Sequence, residues 1–224
     1  MWTKHLKKKG RQATVITVLI VLLFVAVWAD INAGYRQITL AQLWQILTGH
    51  GEAGLTYTLI HLRLPRVLTS LLVGVGLAVS GCVIQGVSRN DMAEPGILGI
   101  NAGAGLFVAG FIVFFSGSGL SASLLLPFLA FAGSVCTALV DYRLALTRQG
   151  LSPRRLLLIG VAMSTAISSV TTMLMLRMSD SEYAFVQNWL SGSIWGATWP
   201  NVVMLFTGLV LLTGFVFYKS RTLN

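Results

Sequence analysis

The chain has 224 residues, 55% of them hydrophobic and only 10% charged, with a mean hydropathy of +0.77 and a formal net charge of +9 at neutral pH. That apolar content is more than a soluble domain of this size can bury, so the soluble globular class is excluded and the chain reads as an integral membrane protein. The basic residues cluster at the ends of apolar runs, which speaks for membrane orientation and against a nucleic-acid partner.

Met1 to Arg11 carries Lys4, Lys7, Lys8, Lys9 and Arg11 and leads into a first apolar run over residues 13–29. A basic start before an apolar run is also how a signal peptide begins. No small-residue cleavage site follows, however, and the run is long enough to cross a bilayer, so an uncleaved first span is expected. Asp30 to His61 is read as an outer connection. Within it, Ile38 to Leu47 places apolar residues at a helical spacing, with Trp44 on the apolar face. A helix lying at the membrane interface and a loop helix packed on the bundle both fit that pattern.

The second run, residues 67–87, is preceded by Arg63-Leu-Pro-Arg66 and carries Ser70, Gly74, Ala78, Cys82 and Gly86 at every fourth position. Such a row of small residues lets helix backbones approach closely in lipid, so this span is expected inside a bundle. A polar turn, Ser88 to Pro95, separates it from the third run at 97–115, with Pro95 expected at the first helical position and Glu94 beside it. Ser116 to Ser123 is a Ser/Gly turn, and the fourth run covers 124–140 with Pro127 in its first turn. Asp141 to Arg155 is a basic inner loop, and the fifth run covers 156–178. Ser179 to Asn201 holds Trp189, Trp195 and Trp199, suited to a headgroup-level belt, and includes an apolar stretch at 185–194 too short to cross. The sixth run covers 202–218, with Pro200 at its entry. The fold class expected is therefore an all-α membrane protein, a polytopic bundle of six spans forming one transmembrane domain over 1–224.

Of the 16 Lys and Arg residues, all but Arg36, Arg63, Arg66 and Arg177 fall on the side of the two termini. Four acids, Asp30, Glu52, Asp180 and Glu182, balance those four, so the other face carries the whole net charge. Both termini are then expected in the cytoplasm. Cys82 and Cys136 fall within different spans and read as small packing residues, and His5, His50 and His61 lie outside the spans. No cysteine or histidine spacing indicates a metal site, and no cofactor is expected.

The stretch Arg63–Gly105 carries a recognisable pattern: Arg63-Leu-Pro-Arg66, Ser80-Gly81, Gln85, Arg89-Asn90, Ala93-Glu94-Pro95-Gly96, Leu98-Gly99 and Gly103-Ala104. It resembles the permease subunit of bacterial ABC importers for iron-siderophores, haem and vitamin B12, the FecCD family. Asp91 and Met92 depart from it, standing where the family usually has Pro and Leu. The resemblance implies a multi-pass subunit of the bacterial cytoplasmic membrane, importing an iron-siderophore complex. Haem or cobalamin import is the alternative within the family, and a non-transporting membrane fragment the alternative outside it.

The implied partners are a second permease subunit, identical or different, cytoplasmic ATPase subunits and an extracytoplasmic substrate-binding protein. No phosphate-binding loop of the G-x-x-x-x-G-K-[ST] kind is present, so hydrolysis is expected from another subunit and the chain is not itself expected to be an enzyme. Family members normally have about ten spans, so six correspond to the N-terminal two-thirds of one, and a C-terminally truncated chain is expected.

The resemblance also assigns residues. Arg63 and Arg66 would meet acidic residues on the binding protein; snorkelling to lipid phosphate is the plainer alternative. Ser164, Ser168 and Thr172, on the fifth span, would line the translocation pathway; helix packing through hydroxyls is the alternative. The turn holding Asn90, Ala93, Glu94, Pro95, Gly96 and Gly99 would face the cytoplasm, as part of a gate or simply as a structural turn. Three rival functions have less in the sequence to support them. An intramembrane protease lacks a histidine in any span, a cation-coupled carrier lacks ionisable residues there except Asp141 at an edge, and a plain anchor has no need of the glycine rows.

Overall fold

A computed structural model describes residues 2–32, 37–91, 93–115, 122–148 and 150–219. The Ser/Gly turn expected at 116–123 lies largely outside them, as do Arg36, Met92 and Arg221. Nine α-helices occur among the described residues: α1 (Trp2–Asn32), α2 (Leu40–Leu47), α3 (Ala53–Tyr57), α4 (Leu64–Ser88), α5 (Ile100–Phe115), α6 (Ala122–Ala145), α7 (Pro153–Met175), α8 (Asp180–Ser191) and α9 (Trp199–Lys219). The chain is all-α and polytopic. Five helical runs are long and apolar enough to cross a membrane: Gln12–Asn32, Ala53–Ser88, Leu125–Ala145, Pro153–Met175 and Trp199–Lys219.

The third apolar run is shorter than the expected 97–115. Pro95–Leu98 forms a separate 3₁₀ turn capped by Gly99 at φ 69°, and α5 starts only at Ile100. Its 16 residues rise about 24 Å, short of the ~30 Å hydrocarbon core.

The second run is expected to begin at residue 67, and the residue before proline ordinarily avoids helical angles. The helix instead runs on from Ala53 to Ser88. A π-helical turn at Thr58–Arg63 comes just before the proline, and the Leu64 N–H donates to the Leu59 carbonyl. This wider turn relieves the ring's clash with the preceding backbone.

The chain divides into two compact units, one of residues 1–73 with 194–210, the other of 74–193 with 211–224. In the first, Ile38, Ile46, Leu55 and Leu59 form a small core, with Ile31, Leu43 and Leu64 against it. α2 is started by a capping box between Thr39 and Gln42. In the second, α5, α6 and α7 pack on one another, and the 3₁₀ turn packs on α7. The approach of α5 to α6 is close enough to require glycine. A Cβ on Gly103 would lie 2.7 Å from the Gly133 carbonyl oxygen, and one on Gly133 2.9 Å from the Gly103 carbonyl carbon. α8, opened by a Ser179–Glu182 capping box, buries Val186 against Ala109, Ile112 and Met175.

Two expectations change. The small-residue row of α4 is not buried within this chain: Ser70, Gly74, Ala78, Cys82 and Gly86 are all exposed, and Gly74 and Gly86 have open space where a Cβ would point. Likewise Cys82 and Cys136 are free and exposed. Asp141 is not in a loop, because α6 continues to Ala145. It is only 1% exposed, and neither carboxylate oxygen has a hydrogen-bond partner among the described residues.

Candidate functional site

The longest polar feature on any apolar helix is on α7. Pro153 sets the first turn, and from there the helix presents three faces. Leu156, Gly160, Ile167, Thr171 and Met175 are buried. Thr165, Ser168, Ser169 and Thr172 are exposed along a neighbouring strip, and Val170 and Met173 lie exposed on a third, apolar face. A hydroxyl in hydrocarbon must find a partner. Here Thr165 donates to the Val161 carbonyl, Ser169 to Thr165, Thr171 to Ile167 and Thr172 to Ser168, at 2.9–3.0 Å. These four donors are satisfied within the helix, which leaves oxygen lone pairs of Thr165, Ser169 and Thr172 on the strip. The result is a weakly polar strip with no charge.

The structure brings two of the sequence-assigned groups together. Gly99, at the end of the motif turn, sits so close to α7 that a Cβ would lie 3.2 Å from both the Gly160 oxygen and the Ser164 nitrogen. Its left-handed φ and this contact both disfavour a side chain. Ser164, half-buried, is therefore held against the turn, while Ser168 and Thr172 point away from the packed face. In the turn, the Ala93 N–H donates to the Asn90 carbonyl at 3.0 Å, Ala93 is buried, and Glu94 is exposed at the head of the 3₁₀ turn. Pro95 takes the first position of that turn, and Gly96 lies beside Glu94 and Asn101.

Arg63 and Arg66 belong to the first unit. Arg63 is 9% exposed and its guanidinium donates to the Ile31 carbonyl at the end of α1. Arg66 pairs with Asp30, its side chain 22% accessible, and its guanidinium lies 5.5 Å from the Trp195 ring centroid. Trp199 donates its indole N–H to the Ile60 carbonyl at 3.0 Å. The RLPR stretch thus ties together the ends of α1, α4 and α9. The Asp30 pairing was missed in the sequence, although both residues had been placed on the same membrane face.

The model of the FecCD transport family matches residues 19–224. The chain belongs to the FecCD transport family. Among curated FecCD relatives, the "Iron(3+)-hydroxamate import system permease protein FhuG" of Bacillus subtilis is 38% identical over 221 residues, covering 97% of this chain and 66% of that protein. The "Fe(3+) dicitrate transport system permease protein FecD" of Escherichia coli is 39% identical over 171 residues, 75% of this chain and 51% of that protein. A solved ABC transporter described as of metal-chelate type, in an inward-facing conformation, matches with a TM-score of 0.75 at 24% identity, covering 95% of this chain and 64% of that one. That likeness shows the fold. The chain spans between about half and two-thirds of the length of these FecCD relatives.

Proposed function

We propose that this chain is permease material of a binding-protein-dependent ABC importer that carries an iron-siderophore complex across the bacterial cytoplasmic membrane, with both termini inside. The observation that carries the reading is the uncharged hydroxyl strip of α7, in a FecCD chain whose relatives are named for iron(3+)-hydroxamate and iron citrate import. An iron-siderophore is large and polar, and its metal is already enclosed by the chelator. The pathway therefore has to offer weak hydrogen-bonding contact and no competing ligands. Ser168 and Thr172, with Thr165 and Ser169 beside them, supply such a wall, and Ser164 borders it where α7 meets the turn. The exposed row of α4 from Ser70 to Gly86 suits close packing by helices of the complete assembly, which would include a second permease subunit.

Movement across the membrane comes from alternating exposure of the pathway, driven by ATP hydrolysis on separate cytoplasmic subunits. On the outer side, Arg66 is the residue placed to meet an acidic lobe of the binding protein. Its accessible guanidinium could exchange Asp30 for a partner carboxylate, while buried Arg63 holds the position of the helix end. The turn from Asn90 to Gly99 lies at the opposite end of α4 and transmits motion there to α7 through Gly99.

The test is uptake of a radioactive iron hydroxamate by cells that lack their own permease and supply the ATPase, the binding protein and a second permease subunit. Uptake that depends on ATP and on this chain supports the proposal; a chain that restores no uptake of any iron chelate refutes it.

A further inference from the structure

A second polar feature lies away from the hydroxyl strip, where α4 ends and α7 begins. Ser88, Arg89, Asn90, Ser152, Pro153, Arg154 and Leu157 enclose a cavity of about 450 Å³. Four observations there point to one kind of ligand. Arg89 and Arg154 both line the cavity, no acidic residue does, and neither guanidinium has an ion-pair partner among the described residues. Ser88 is 6% exposed, and its hydroxyl oxygen is buried without a hydrogen-bond partner among the described residues. Ser152 stands at the N-cap of α7, but its side chain makes no capping bond. Lastly, the first turn of α7 holds Arg154 and Arg155 and no acid. Cations at the positive end of a 23-residue helix are unfavourable by themselves, and an anion seated between them reverses that sign.

We propose that this cavity binds a phosphate group. Both guanidiniums and the uncapped amides of α7 would donate to its oxygens, with the Ser88 hydroxyl close by. The cavity lies where two apolar helices end, its wall includes Leu157, and Leu158 beside it is 72% exposed. The chemistry is met equally by the headgroup of an anionic phospholipid and by a free phosphate.

The experiment uses the full chain purified in nanodiscs. One arm contains phosphatidylcholine with a fraction of phosphatidylglycerol, and lipid retained after mild delipidation is counted by native mass spectrometry. The other contains phosphatidylcholine alone, and binding of inorganic phosphate is measured by calorimetry. In whichever arm binding occurs, the R89Q/R154Q variant should lose it by about tenfold or more, as expected for two charge-assisted contacts. R89K/R154K should recover part of it, and S88A, which removes only the hydroxyl, should weaken it severalfold with unchanged helix content. R143Q, exposed at the end of α6 and outside the cavity, should bind as the parent does. Retention of phosphatidylglycerol assigns the site to lipid; binding of phosphate alone assigns it to a free anion. No binding in either arm, or equal binding by R89Q/R154Q and the parent, overturns the proposal.

Discussion

The contact between α5 and α6 makes a prediction whose sign differs between neighbouring glycines. In Gly103→Ala, the new methyl would be 2.7 Å from the Gly133 oxygen and 2.8 Å from the Thr137 Cβ. Two of the three nearest atoms belong to Thr137 and one to backbone, in a helix that cannot swing aside as a long side chain would. Overpacking of this kind costs about 1–3 kcal/mol, and the clash with backbone places it in the upper half. Alanine recovers about 1 kcal/mol of helix propensity, leaving a net loss of about 1–2 kcal/mol. Gly110, on the same helix, has nothing within 4 Å of a Cβ, so Gly110→Ala keeps only the propensity gain. The two variants should therefore differ by about 2–3 kcal/mol, roughly a 30- to 160-fold difference in the folded-to-unfolded ratio. Reversible unfolding of the purified chain in mixed micelles, titrated with sodium dodecyl sulfate, reads that difference. Gly103→Ala/Gly133→Ala should cost less than the sum of the singles, because both methyls enter the same gap. Equal stability of Gly103→Ala and Gly110→Ala would refute the close approach.

Three further outcomes follow from named contacts. Asp141→Leu should stabilise the chain by about 1–3 kcal/mol in the same titration, because it removes a buried polar group that lacks a partner; a loss instead would reveal a partner for the carboxylate. Asp30→Asn should cost under about 1 kcal/mol, since the Arg66 pair is partly solvated, whereas Arg63→Ala should cost about 1–2 kcal/mol by removing a buried side chain and the partner of the half-buried Ile31 carbonyl; the order of the two, read by thermal unfolding, is the check. Arg66→Glu should reduce uptake through weaker binding-protein docking, seen as faster dissociation in surface plasmon resonance, and unchanged dissociation would remove the docking role.

The apolar helices were legible because each crossing demands a long uninterrupted run, and the two ends of α4 were legible because RLPR and the Ala-Glu-Pro-Gly turn are local. Other features depend on which neighbour a residue meets. Gly103 and Gly133 are thirty positions apart; each has a small residue four positions away, Gly99 and Thr137, but that spacing does not say which helix it meets. The row from Ser70 to Gly86 showed that some helix can come close, but not that the row stays exposed among the described residues. Asp141 looked like a loop residue because its charge ended the apolar run, yet α6 continues one turn further. The helical stretch ahead of residue 67 was not legible, because the π turn that carries the helix past Pro65 depends on backbone spacing with no composition of its own. On α7 the fourfold spacing found Ser164, Ser168 and Thr172, but the third, apolar face that separates the strip from a merely packed surface emerged only from burial.

The most direct measurement is solvent access along α7 in the assembled transporter. In a background with Cys82 and Cys136 replaced by alanine, single cysteines at Ser168, Thr172 and Val170 are exposed to a membrane-impermeant hydrophilic thiol reagent. A water-filled pathway along the hydroxyl face predicts rapid labelling at 168 and 172, slowed by the iron-siderophore, and little at 170. Labelling at 170 as fast as at 168, or none at 168 and 172, would contradict it.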